Sequence, residues 1–170
     1  MIVASIAAVA ENGAIGKEND LIWDLPVDMK FFMDTTRGHH VITGRKNYES
    51  IPHKFRPLKN RVNIVVTRDE AYEAPGAVVL TSIHEAIELA RAAGEEECFV
   101  IGGGEIYALA LRENLLDRMY ITHVHGRFDA DTWYPEFDRD VWNATVLSEH
   151  TIDEKHAFAF TIVRYDRKKA

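Results

Sequence analysis

Cysteine is nearly absent from this chain of 170 residues: Cys98 stands alone, so no internal disulfide can form and no CxxC metal or redox pair exists. A reducing, cytoplasmic setting is the expectation. Positive charge is also scarce. Lysine and arginine total 20 against 27 acids, a net −7, which argues against nucleic-acid binding as the main function. Long hydrophobic runs are missing too. Nothing approaches the roughly eighteen apolar residues of a membrane span, so no membrane role is expected. The apolar start, residues 2–10, has no basic residue before it and is broken by Glu11-Asn12-Gly13, which reads as a buried central strand rather than a signal peptide. Several catalytic signatures are lacking as well. Without G-x-x-x-x-G-K-[ST], G-x-S-x-G or HExxH, the kinase, nucleophilic hydrolase and zinc-protease readings have no support. His123 and His125 share a strand face but make an incomplete metal site, so no metal is expected.

What is present is ordinary globular material, 46% hydrophobic and 28% charged, with no repeat and no low-complexity linker, hence one domain over residues 1–170. Short runs rich in branched residues alternate with helical patterns. Strands are expected at 2–10, 39–43, 62–67, 77–80, 98–101 and 119–124. Helices are expected at 26–35, after Asp24 and before Gly38, and at 86–93, after the capping box Ser82-Ile83-His84-Glu85 and before Gly94. Shorter ones fit 44–51 and 105–112. Near the end, 144–149 and 157–165 read as an antiparallel hairpin at one sheet edge. The class is α/β: a mostly parallel sheet, flanking helices and an antiparallel C-terminal edge.

Three features could carry chemistry. Gly102-Gly103-Gly104 joins a strand to a helix, which suits a phosphate at the helix N-terminus or else is simply a tight turn. Gly44-Arg45-Lys46 and Thr67-Arg68 end neighbouring strands. In a parallel sheet they share the carboxyl edge, where arginine forks clamp phosphates, although solvated loop charges would look the same. Asp28 lies among Val27, Met29, Phe31 and Phe32, as a buried acid of raised proton affinity or as a surface aspartate favoured by the helix dipole. Arg61 precedes a strand and could receive a ligand carboxylate or merely begin that strand.

Over nearly its whole length the chain resembles the dihydrofolate reductase family. The motifs are Ile15-Gly16 with Trp23-Asp24-Leu25-Pro26-Val27-Asp28, then Gly44-Arg45-Lys46-Asn47-Tyr48-Glu49-Ser50-Ile51, and Arg56-Pro57-Leu58 through Arg61. Val100-Ile101-Gly102-Gly103-Gly104-Glu105-Ile106-Tyr107, Tyr120-Ile121-Thr122-His123 and Asp131-Thr132 with Tyr134-Pro135 complete the order. The resemblance implies an eight-stranded sheet with about four helices, and NADPH-dependent reduction of 7,8-dihydrofolate to tetrahydrofolate for one-carbon metabolism, hydride going to C6 and a proton to N5. It also implies inhibition by antifolates and a monomer.

By the same resemblance Asp28, Trp23 and Leu21 are catalytic, the last two on a loop at 14–23 that closes over the nicotinamide. Substrate would meet Ile6, Ala8, Asp28, Phe32, Ile51, Leu58 and Thr122, with Arg61 on its glutamate carboxylate. NADPH would meet Ala8, Ile15, Gly16, Asn19 and Leu21 near the loop. Its adenosine phosphates would meet Gly44, Arg45, Lys46, Thr67, Arg68 and Thr81, and its pyrophosphate Ile101, Gly102, Gly103, Gly104, Glu105, Ile106 and Tyr107. The Gly102–Gly103 bond is expected to be cis. The chain departs from the family pattern at Ile22, where many bacterial members have proline, at Tyr48 for tryptophan and at Glu105 for arginine. The reductase of riboflavin synthesis shares the fold and cofactor, but Trp-x-Leu-Pro-x-Asp and Arg61 count against it. A binding-only protein is disfavoured by Asp28 and Trp23 together.

Overall fold

The computed structural model describes residues 1–18 and 20–169; Asn19 and Ala170 lie outside the described residues. Ten strands form in chain order: β1 (Ile2–Ala10), β2 (Ala14–Gly16), β3 (His40–Gly44), β4 (Val62–Val66), β5 (Val78–Leu80), β6 (Glu97–Gly102), β7 (Arg118–Val124), β8 (Thr132–Trp133), β9 (Trp142–His150) and β10 (Phe160–Arg167). Four helices accompany them: α1 (Pro26–Thr36), α2 (Arg45–Ser50), α3 (Ile83–Ala92) and α4 (Gly104–Arg112). Eight strands make one sheet in the order β5-β4-β3-β6-β1-β7-β10-β9. Pairing is parallel from β5 to β7 and antiparallel for β10 with both its neighbours.

β1 lies between β6 and β7, which explains why its sequence is apolar on both faces. One face of the sheet is covered by α3 and α4 through Ile83, Ala86, Ile87, Ala90, Ile106 and Ala110, packed with Val3, Ile42, Ile64 and Val100. The other face carries Ala4, Ile6, Val41 and Phe99, against which Phe31 and Phe32 of α1 pack. Each isoleucine so buried contributes about 1.5–3 kcal/mol.

The helix-end signals are only partly used. Ser82 accepts from the Glu85 amide at 3.1 Å, as the capping box requires, but the Glu85 carboxylate accepts from Thr81 Oγ1 at 3.2 Å instead of reaching back to Ser82. Gly94 ends the α3 segment at φ +80°. The expected strands and helices form with ends shifted by one to a few residues. β2 and β8, a separate two-stranded sheet, lack any period-2 run in the sequence and were not anticipated. Among the described residues no helix is long and apolar enough to cross a membrane.

Candidate active site

Parallel pairing aligns the strand ends. Gly44 pairs with Val66, Val66 with Leu80, and Thr43 with Gly102, so the turns after β3, β4, β5 and β6 share the carboxyl edge of the sheet. This edge and the α1 face together make the site.

Asp28 occupies the first turn of α1 and is half-buried. Its Oδ1 accepts a 2.5 Å hydrogen bond from Thr122 Oγ1. Thr122 is buried in β7, opposite Ala8 in β1, so the central strands position the partner of the acid. Burial raises the proton affinity of Asp28 above the ordinary carboxylate value of 3.8; the Thr122 bond and the charge of His150 oppose this in part. Half-burial and the Thr122 bond favour the buried reading over the surface one. Farther along α1, Phe32 packs with Leu58 and Ile6. Leu58 is held by Asn63, whose side chain accepts from the Leu58 amide and donates to its carbonyl, both at 2.9 Å.

Arg61 is placed at the far end of the same helix. Its Nη1 donates to Thr36 Oγ1 at 3.1 Å and its Nε to the Lys59 carbonyl at 2.9 Å, with the guanidinium 6.0 Å from the Phe32 ring centroid. No carboxylate pairs with it among the described residues, which leaves a fixed, partly buried cation available to an anion. Ile51 caps α2 and packs with Tyr48, outside the Phe32–Leu58 cluster. A hollow of about 460 Å³ on α1, lined by Met29, Met33 and five polar or proline side chains, includes neither Asp28 nor Phe32 and is a separate feature.

The glycine turn follows β6. Gly102 has φ +118°, and a Cβ there would lie 3.2 Å from the hydroxyl oxygen of Tyr107, which itself donates to the Ile6 carbonyl at 2.7 Å. The Gly102–Gly103 bond is cis. Gly104 is closed in, since its Cβ would meet the Trp133 carbonyl at 2.9 Å. Gly103 is open: the nearest atom to a Cβ is Asn47 Cβ at 4.0 Å. The turn thus exposes backbone at the start of α4, as close approach by a phosphate demands. Thr43 Oγ1 donates to the Gly102 carbonyl at 3.1 Å and accepts from Asn47 at 3.0 Å, which stitches this turn to the Gly44–Arg45 turn.

Arg45 lies 4.1 Å over the Tyr72 ring and pairs with Asp69 at 3.3 Å and Glu49 at 3.5 Å. Lys46 and Arg68 have no ion pair among the described residues, while Thr67 Oγ1 accepts from the Asp69 amide and Thr81 is bonded to Glu85. Glu105 is exposed in the first turn of α4, Ile106 is buried, and Ile101 is half-buried.

Of the loop at 14–23, residues 14–18 and Trp23 are docked. Ala14 and Gly16 pair with Trp133 and Thr132, Glu18 donates its amide to Asp131 at 2.8 Å, and Lys17 bonds to Asp129. Trp23 is 8% exposed with its ring 5.2 Å from Phe128, and Ile15 packs on the core. Leu21 is 57% exposed. Asn19 lies outside the described residues. His123 and His125 bond to Tyr165 and Thr161 respectively. His150, close enough to influence Asp28, was missed by sequence reasoning; 122 positions separate the two, and no local spacing signals it.

A half-buried acid at the start of α1, an arginine without a carboxylate partner among the described residues at its far end and open backbone at the glycine turn suit an enzyme that uses a dinucleotide on a substrate carrying a carboxylate. Comparison with known proteins makes this specific. The family model described as Dihydrofolate reductase matches residues 2–167. Dihydrofolate reductase of Bacillus subtilis (strain 168) is 39% identical over 99% of this chain and 96% of that protein. That of Neisseria gonorrhoeae is 40% identical over 96% of each. A solved dihydrofolate reductase from Enterococcus faecalis, complexed with NADP(H) and RAB-propyl, superposes with TM-score 0.87 at 35% identity, covering 99% of this chain and 97% of that one. The chain belongs to the dihydrofolate reductase family. It is an enzyme of NADPH-dependent dihydrofolate reduction.

Proposed function

We propose that Asp28, Thr122 and Arg61 hold 7,8-dihydrofolate for reduction, and that the carboxyl edge of the sheet holds NADPH. The observation that carries this reading is the half-buried Asp28 carboxylate, bonded to Thr122 at 2.5 Å at one end of α1, with Arg61 bonded to Thr36 at the other end. A carboxylate there accepts hydrogen bonds from an amino-heterocycle and favours positive charge beside it, so protonation at N5 is stabilised as C6 is reduced. Arg61, fixed by Thr36 and Lys59, receives the glutamate carboxylate at the opposite end. Ile6, Ala8, Phe32 and Leu58 supply the apolar walls.

The open backbone at Gly103, with the amides that begin α4, fits a pyrophosphate, and Arg45, Lys46, Thr67 and Arg68 fit a further phosphate. When bound, NADPH supplies the hydride. Trp23 and Leu21 belong to the loop that excludes water from the reacting centre. The chain works as one domain, a monomer in the cytoplasm, in keeping with its one unpaired and buried cysteine.

The test is NADPH oxidation with dihydrofolate, with and without methotrexate, for the parent and Asp28→Asn. The parent turns over and methotrexate abolishes it. The variant still binds folate but loses about a hundredfold or more in rate at pH 7, since an amide brings no charge to favour the protonated pterin. Near-parental turnover by Asp28→Asn at pH 7 would remove Asp28 from the mechanism.

A further inference from the structure

Helix α1, which carries Asp28, begins without a cap of its own. Pro26 at its first position has no N–H, and Leu25 before it offers no side-chain acceptor. The first free donor is the Val27 amide, and it is met from 129 positions away: it donates to Nε2 of His156 at 3.2 Å. The other ring nitrogen of His156, Nδ1, lies 2.8 Å from Asp153 Oδ1. These two contacts fix the tautomer. Nε2 must be bare to accept from Val27, so the proton is on Nδ1 and is donated to Asp153.

The imidazole is 3% exposed and packs 5.4 Å from the Phe160 ring, on which His150 also stacks at 4.6 Å. Reciprocal backbone bonds between Asp153 and His156, together with the Lys155 amide donating to Asp153 at 2.9 Å, hold the turn that presents the ring. The residue after Val27 is Asp28. The backbone that His156 grips is therefore the backbone that aims the carboxylate at Thr122.

We propose that His156, held in one tautomer by Asp153, is a positioning residue for Asp28: it fastens the first turn of α1 to the segment between β9 and β10 and so sets where the carboxylate sits against Thr122. This rests on Asp28 being the acid of the reaction. The groups that face the pair are few. Asp28 meets Thr122 from β7 and the charge of His150 from β9; His156 meets Asp153 within its own turn and the α1 amides across from it.

The experiment compares full-length His156→Leu, His156→Gln and Asp153→Ala with the parent and Asp28→Asn. It reads the pH profile of kcat/KM for dihydrofolate, the Kd for NADPH and the Tm. Leucine fills the space without an acceptor, whereas glutamine can place its Oε1 where Nε2 stood. His156→Leu is expected to move the apparent pKa of the profile by about 0.5 or more and to lower kcat/KM about tenfold at pH 7, with NADPH affinity within about twofold of the parent. His156→Gln restores the parental profile. A parental pH profile in His156→Leu, assayed well below its Tm, overturns the proposal even if the Tm has fallen, because a merely structural role would lower stability alone. Should His156→Leu not fold, Asp153→Ala decides. With alanine in place of aspartate the ring stays but Nδ1–H loses its acceptor, so an unshifted profile overturns the proposal and a shifted one supports it. Persistence of the parental pH transition in Asp28→Asn would instead overturn the assignment of Asp28, which separates the two failures.

Discussion

At Asp28 two requirements conflict. The proposed mechanism needs a carboxylate at this position, and burial opposes the charge it must carry. Because its folded proton affinity is raised above the ordinary 3.8, Asp28 favours folding when protonated, and that contribution is lost as pH rises through the folded value. At neutral pH the ionised side chain is thus a stability cost retained for function. Asp28→Asn is expected to melt higher than the parent at pH 7 while turning over far more slowly, and the gain should vanish near pH 3. Calorimetry at both values checks this; a Tm difference that ignores pH would show that the buried charge is not destabilising. In the sequence, Asp28 could be read as buried or exposed. What decides between these is Thr122, 94 positions away, and its place beside Ala8 exists only once β1 and β7 pair.

Elements differ in how far local sequence determines them. The parallel strands β1, β3, β4, β6 and β7 were legible because double-faced burial leaves a continuous apolar signature. β2 and β8 were not, since three residues and two residues hold only by pairing with each other across the docked loop. The glycine turn was legible as a turn, but its three glycines look alike in sequence and serve different ends in space. Gly104 is closed in by the Trp133 carbonyl at 2.9 Å, whereas Gly103 meets nothing nearer than 4.0 Å. Gly104→Ala is therefore expected to cost about 1–3 kcal/mol of stability with the NADPH-induced rise in Tm retained. Gly103→Ala should keep stability within about 1 kcal/mol. Its methyl group would instead occupy the space left for a phosphate and abolish most of the NADPH-induced rise. Thermal unfolding with and without NADPH distinguishes the two; equal NADPH-induced rises would mean that no phosphate approaches Gly103.

Across the whole molecule the two edges of the sheet have opposite electrostatic character. Among the described residues the carboxyl edge leaves Lys46 and Arg68 without ion pairs, while Arg45 lies over Tyr72 between Asp69 and Glu49. The amino edge is closed by internal pairs. Glu95, just before β6, accepts from the His40 amide at 2.5 Å and lies 3.0 Å from His40 Nδ1 and 3.2 Å from His39 Nδ1. Arg118 at the start of β7 reaches Asp166 of β10 at 2.6 Å and Glu97 of β6 at 3.3 Å. None of these pairs was legible in the sequence, because each joins segments at least 21 positions apart through strand order alone. Burial pushes both Glu95 and Asp166 up, but the donors around each prevail and leave both below their ordinary values of 4.5 and 3.8. Carboxylates so depressed stabilise the fold above their unfolded values, and that contribution fades as pH falls through the folded ones. The acid limb of stability should therefore begin near pH 4.5 and steepen below it. Glu95→Gln keeps the size of the side chain, leaves the histidines facing an amide, and is expected to cost about 1–3 kcal/mol at pH 7. Urea midpoints from pH 7 to pH 3 should show parent and variant converging as Glu95 becomes protonated in the parent. Parallel curves over that range would mean that the Glu95 clasp is not what fails in acid, and would shift attention to Asp166 and Arg118.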